Sequence, residues 1–104
     1  MDLTDALGFD WDFGNARKNE KHGVSRAEAE QVFFNLPLVT VPDAAHSESE
    51  ARYHALGMTD ERRLLHLTFT LRGGGTLIRV ISARNMHRKE RVIYEQALED
   101  DSKV

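Results

Sequence analysis

The stretch LLHLTFTLRGGGTLIRVISAR, residues 64–84, decides the fold class. From Leu64 to Arg72, Leu65, Leu67, Phe69 and Leu71 fall on one side of an extended chain, and His66, Thr68, Thr70 and Arg72 fall on the other. That period of two marks a strand with one buried face and one wet face. Arg72-Gly73-Gly74-Gly75 reads as a hairpin turn, and Thr76 to Arg84 is apolar on both sides, which predicts a central strand.

Upstream, Arg52 to Met58 alternates as well, with Arg52, His54, Leu56 and Met58 on one face and Tyr53, Ala55 and Gly57 on the other. The turn Thr59-Asp60-Glu61 joins it to the next strand. LVTV at 38–41 is β-branched and strand-forming, the stretch from Pro42 to Glu50 is a polar loop, and FDWD at 9–12 reads as a short strand. Phe13 to His22 is polar, rich in helix formers and closed by Gly23, which predicts a short helix. Ser25-Arg26-Ala27-Glu28 fits a capping box, so a second helix runs through Ala29, Val32, Phe33 and Leu36 until Pro37 stops it. A third helix covers Met86 to Leu98. The expected architecture is α+β, a small antiparallel meander of about four strands with flanking helices. Leu65, Leu67, Phe69, Val32, Phe33 and Ile93 are the expected core.

A chain of 104 residues suits a single domain, and 40% hydrophobic against 30% charged residues is enough for a modest core. The absence of cysteine excludes disulfides, thiolate nucleophiles and Cys-ligated zinc. No run approaches the roughly 20 apolar residues of a membrane span, and MDLTDALGFD lacks a basic, apolar leader, so a cytoplasmic protein is expected.

The formal charge of −3 rules out a uniformly basic surface, but the positive charge is gathered locally. Arg79, Arg84, Arg88, Lys89 and Arg91 lie within one stretch with Glu90 as its single acid, and Arg17, Lys18, Lys21 and Arg26 lie around Glu20. Brought together, these segments form one basic face; apart, they are solvated helix faces. On the last helix, at about 100° per residue from Met86, Ile93, Ala97, Glu90 and Tyr94 fall at about −20°, 20°, 40° and 80°. Glu90 therefore points at the core and needs a cation, with Arg79 and Arg84 nearest in sequence, while Arg88, Lys89, Arg91 and Glu95 face outward.

Five histidines form no compact ligand spacing, so no metal or other cofactor is expected; His54 and His66 read as part of a polar sheet face. Ser82 has no His and Asp nearby in sequence, and the three glycines precede no Gly-Lys-Ser/Thr phosphate loop. Residues 79–95, RVISARNMHRKERVIYE, carry the chemistry. Arginines grip phosphate bidentately and neutralise charge, and His, Glu, Lys or Tyr move protons, which suffices for RNA cleavage without metal. For Arg79 and Glu90 two readings stand open: catalysis, or a network that anchors the helix to the sheet.

The runs FDWDFGNARKNEKHGVS (9–25), AEQVFFNLPL (29–38), D-x-x-H-S (43–47), R-Y-x-A-L-G-x-T-D (52–60) and R-V-I-S-A-R-x-M-x-R-K-E-R-x-x-Y-E (79–95) together resemble the BrnT-type toxins of bacterial type II toxin–antitoxin systems. The resemblance spans Phe9 to Glu95. It implies a RelE-like fold, an antiparallel sheet with helices on one side, and a metal-independent endoribonuclease that arrests growth. It also implies neutralisation by a BrnA-type antitoxin in a hetero-oligomer. The family signatures fall on Lys21, His22, Arg52, Arg79, Ser82, Arg84, Arg88, Glu90, Arg91 and Tyr94. Combined with the residue reading, His22, Arg84, Arg88, Arg91 and Tyr94 are candidate catalytic residues. Lys21, Arg52, Arg79, His87 and Lys89 are candidate RNA ligands, His87 on its position alone, and Glu90 is the scaffold carboxylate. The alternative is a non-enzymatic RNA- or partner-binding subunit that keeps the fold without turnover.

Overall fold

A computed structural model describes residues 3–12, 14, 22–46 and 50–102. Five strands, β1 (Gly8–Phe9), β2 (Val39–Pro42), β3 (Arg52–Met58), β4 (Leu64–Arg72) and β5 (Leu77–Asn85), form one sheet in the order β1-β5-β4-β3-β2. Among the described residues, two α-helices of a turn or more, α1 (Arg26–Val32) and α2 (Arg88–Ser102), complete the α+β arrangement. β2 to β5 are the antiparallel meander read from the sequence. The first strand departs from it: only Gly8 and Phe9 pair, and they run parallel to β5, opposite Leu77 and Ile78. The expected helix over 13–22 lies almost wholly outside the described residues.

Leu65, Leu67, Phe69, Ile78, Val80 and Ala83 are buried on one sheet face, and α1 lays Ala29 and Val32 against it. Ser25 caps α1 as the sequence predicts: its hydroxyl accepts the Glu28 N–H at 3.1 Å, and the Glu28 carboxylate accepts the Ser25 N–H at 3.1 Å. α1 nevertheless ends at Val32 rather than Leu36. Phe33 and Phe34 donate to the carbonyls of Glu30 and Gln31, three residues back, which tightens the chain into a turn. The half-buried Phe33 ring then meets Phe69 edge-on at 5.1 Å, while Phe34 and Leu36 are exposed. The seat of α1 depends on Gly57, where a Cβ would stand 2.6 Å from a Val32 methyl.

α2 packs on the opposite face of the sheet, so the two described helices do not share a side, and the expected arrangement with helices on one side is corrected: Leu56 and Met58 make the second face apolar enough to need its own cover. Tyr94 and Met86 are buried there against Leu56, with Val39, Met58, Leu64 and Leu98 around them. Leu56 neighbours the buried Ala55 in β3 and points the other way, which is why the sheet needs cover on both faces. Ile93, expected inside, is 55% exposed. The helix starts at Arg88, so Met86 precedes it and its angle does not set the buried stripe; Tyr94 and Leu98 set it.

Candidate functional site

The face under α2 carries most of the chemistry. Register between β3, β4 and β5 builds three rungs: Leu56, His66 and Arg84; His54, Thr68 and Ser82; Arg52, Thr70 and Arg79. Successive rungs stand about 6.8 Å apart. Arg79 and Arg84 are an odd number of residues apart and would face opposite sides of a regular strand. Ile81 is the extra residue of a β-bulge opposite Thr68 and Phe69, and it resets the alternation so that both arginines and Ser82 share one face.

The face is less open than the alternation predicts, since His66 and Thr70 are buried. The Thr70 hydroxyl donates to the Ala51 carbonyl at 2.6 Å.

Arg84 and Glu90 form the centre of the arrangement. Arg84 donates from Nη1 and Nη2 to the two carboxylate oxygens at 2.8 and 2.9 Å, a bidentate fork. Glu90 Oε1 also accepts the His87 N–H at 2.7 Å, at the start of α2 where an anion is favoured. The Arg84 fork, then the His87 N–H, holds the Glu90 carboxyl down at about 2 although partial burial opposes this. The inward carboxylate thus has Arg84 as its partner, and Arg79 is engaged elsewhere. Its guanidinium meets Asp10 at 3.1 Å and also Asp12, tying the N-terminal segment to β5.

His66 lies beside the fork, Nε2 3.9 Å from Glu90. Burial, helped by the Arg84 cation, pushes its pKa down to about 4, so the ring is neutral near neutral pH. Its Nδ1 is buried with no hydrogen-bond partner among the described residues. The His54 ring packs on it with centroids 5.0 Å apart. His54 in turn spans Asp43, at 3.0 Å from Nε2, and Thr68, at 3.2 Å from Nδ1. The sequence reading treats this pair as a plain polar sheet face, because the acid that holds it lies in a separate loop.

His87, Arg88, Lys89 and Arg91 are exposed around the first turn of α2, beside the fork. Arg91 also donates to the Met86 carbonyl at 3.1 Å. Arg52 is half-buried on the third rung. His22 is exposed in the turn before Gly23, whose carbonyl Arg63 ties to Asn85 at the end of β5; Lys21 lies outside the described residues. Tyr94 is fully buried beneath α2, and its hydroxyl donates to the Pro37 carbonyl at 2.6 Å. Burial raises its pKa, which makes it a poor proton carrier; its place is in the core, contrary to the catalytic assignment made from the motif. On the other side of the sheet, a pocket of about 170 Å³ lies between Leu3, Leu7, Phe9, Phe33 and Phe34, with no titratable side chain among the described residues that line it.

A family model described as "Ribonuclease toxin, BrnT, of type II toxin-antitoxin system" matches residues 11–90. The chain belongs to the BrnT toxin family. The BrnT match takes in the Asp43 loop, all three rungs, the Arg84–Glu90 fork and the start of α2, and it stops before Arg91 and Tyr94. Membership makes this a toxin of the ribonuclease type, with RNA as its substrate and an antitoxin protein as its partner. No curated protein matches the chain. No helix among the described residues is long and apolar enough to cross a membrane.

Proposed function

We propose that this BrnT-family chain cleaves RNA without a metal ion, by attack of a ribose 2′-hydroxyl on the adjacent phosphate. In the cell this cleavage arrests growth until a BrnA-type antitoxin covers the same face in a hetero-oligomer. The observation that carries the reading is the Arg84–Glu90 fork set beside the cationic first turn of α2. A scissile phosphate gains negative charge as it becomes five-coordinate, and a fixed guanidinium stabilises that charge without reorganising. Arg84 takes this role, with Glu90 as the scaffold that holds it. Arg88, Lys89, Arg91 and His87 bind flanking phosphates, and Arg52 extends the track to the third rung. RelE-like enzymes offer the fold analogy for such a surface.

Net charge is −3, so association depends on this local field and weakens with salt. The test is purified protein with a short RNA in EDTA, together with induced expression in a bacterium with and without the neighbouring small open reading frame. Fragments ending in 2′,3′-cyclic phosphate, and arrest relieved by the neighbour, are expected. Intact RNA in EDTA that is cleaved once a divalent cation is added overturns the metal-free route. Intact RNA under both conditions favours the non-enzymatic subunit.

A further inference from the structure

The middle rung carries a second set of groups that neither the family match nor the motif assigns. Asp43 is buried and rigidly placed. Its N–H donates to the Arg52 carbonyl at 2.8 Å, and its Oδ1 accepts the Ala45 N–H at 3.2 Å. The other oxygen, Oδ2, is 3.0 Å from His54 Nε2. An ionised carboxylate can only accept, so Nε2 carries the imidazole hydrogen and Nδ1 keeps its lone pair. Thr68 donates its hydroxyl to that lone pair at 3.2 Å, and Thr68 stands opposite Ser82 across the strands. The His54 side chain is 32% exposed, enough to be reached from solvent.

We propose that His54, oriented by Asp43, accepts the proton of the attacking ribose hydroxyl. The inference rests on the ribonuclease reading and adds the base that it lacks. The hydroxyl takes the place of Thr68 at Nδ1. As its proton passes to Nδ1, an O2′ electron pair forms the bond to phosphorus. The P–O5′ bond breaks, O5′ leaves with that pair and takes a proton from solvent, and His54 then returns its proton to solvent. The products are a 2′,3′-cyclic phosphate and a 5′-hydroxyl.

The surroundings suit the task. Asp43 stabilises the imidazolium formed in the step, as the carboxylate of a hydrolase triad does. His66, stacked on the same ring, is held neutral and adds no competing charge. The arginines that meet phosphate lie on the rungs to either side, Arg84 on one and Arg52 on the other. Among the described residues, the charged and titratable groups around His54 are Asp43 from the loop after β2, His66 from β4, Arg52 along β3 and, through His66, Arg84 from β5 and Glu90 from α2. The competing account is a latch, in which Asp43 and His54 only pin that loop to the sheet.

Cleavage rate against pH separates the two accounts. The wild-type chain should lose rate on acidification along a single-proton limb, and H54Q should lose about 10²-fold or more in rate together with that limb. D43N keeps the shape but offers an amide to Nε2, which shifts the hydrogen to Nδ1, so it should also lose rate with little change in KM. Added imidazole should restore part of the activity of H54A, which a latch does not predict. A folded H54Q with wild-type rate and profile overturns the inference. So does a wild-type rate without an acid limb, which is informative even where every His54 variant unfolds. A wild-type chain that leaves RNA intact under all conditions refutes the ribonuclease reading instead, before any variant is made.

Discussion

Glu90→Gln removes the charge of the carboxylate that joins β5 to α2 while keeping its size. In the wild type it accepts two charged hydrogen bonds from Arg84 at 2.8 and 2.9 Å and the His87 N–H at 2.7 Å. Its pKa falls from 4.5 to about 2 on folding, and at about 1.4 kcal/mol per pKa unit that corresponds to about 3 kcal/mol. The side chain is 21% exposed, so solvent screening brings the expected loss to about 1–2 kcal/mol. For a domain near 100 residues this lowers Tm by about 5–15 °C. The sign follows from the lowered pKa: the stabilisation is full above 4.5 and disappears as pH falls through about 2, where the wild-type carboxyl is also protonated. Thermal melts of both chains from neutral pH down to about pH 2 should therefore show a gap that closes on acidification. Adding R84A and the double variant isolates the coupling between the two side chains. Superimposable melts at neutral pH, or a gap unchanged at about pH 2, would refute a stabilising Arg84–Glu90 fork.

Other substitutions test the remaining assignments. Tyr94→Phe should cost about 1 kcal/mol, the hydrogen bond to Pro37, and leave the RNA cleavage rate unchanged; a large loss of rate at unchanged Tm would return Tyr94 to the chemistry. Gly57→Ala should destabilise by about 1–3 kcal/mol in denaturant melts, because the new methyl meets Val32, and wild-type stability would show that α1 shifts freely. Arg88→Ala, at an exposed position, should leave the unfolding free energy within about 0.5 kcal/mol of wild type while weakening RNA binding and flattening its salt dependence. His66 has its own window. Its pKa is lowered from 6.5 to about 4, so the unfolded chain binds a proton that the folded one resists, and stability should fall between those values on acidification. A His66→Gln chain should lose that acid sensitivity, as measured by denaturant midpoints across the range.

Much of the architecture was legible because it depends on local periodicity. The meander from Val39 to Asn85 follows from alternation and turn residues, and the Ser25 cap follows from hydroxyl and carboxylate spacing. The inward turn of Glu90 and its choice of an arginine follow from helical geometry and from the cost of burying a lone carboxylate. The buried stripe of α2 misses Ile93 because Met86, from which the helical angles are counted, precedes the helix.

By itself the sequence determined the four meander strands, the start of the capped helix, the concentration of positive charge near residue 84 and the family resemblance. Each of these is carried by residues close together in the chain or by a pattern along it. Only the tertiary structure decided which faces those residues share. One bulged residue, Ile81, brings Arg79 and Arg84 to the same side of the sheet, and no count of alternating positions reveals it. Asp10 and Asp12 reach Arg79 across 67 or more residues, and Asp43 meets His54 from a loop before the strand. Strand register and β1 pairing settle these contacts, because a side chain's partners in a sheet lie on neighbouring strands, at distances along the chain that local pattern does not encode.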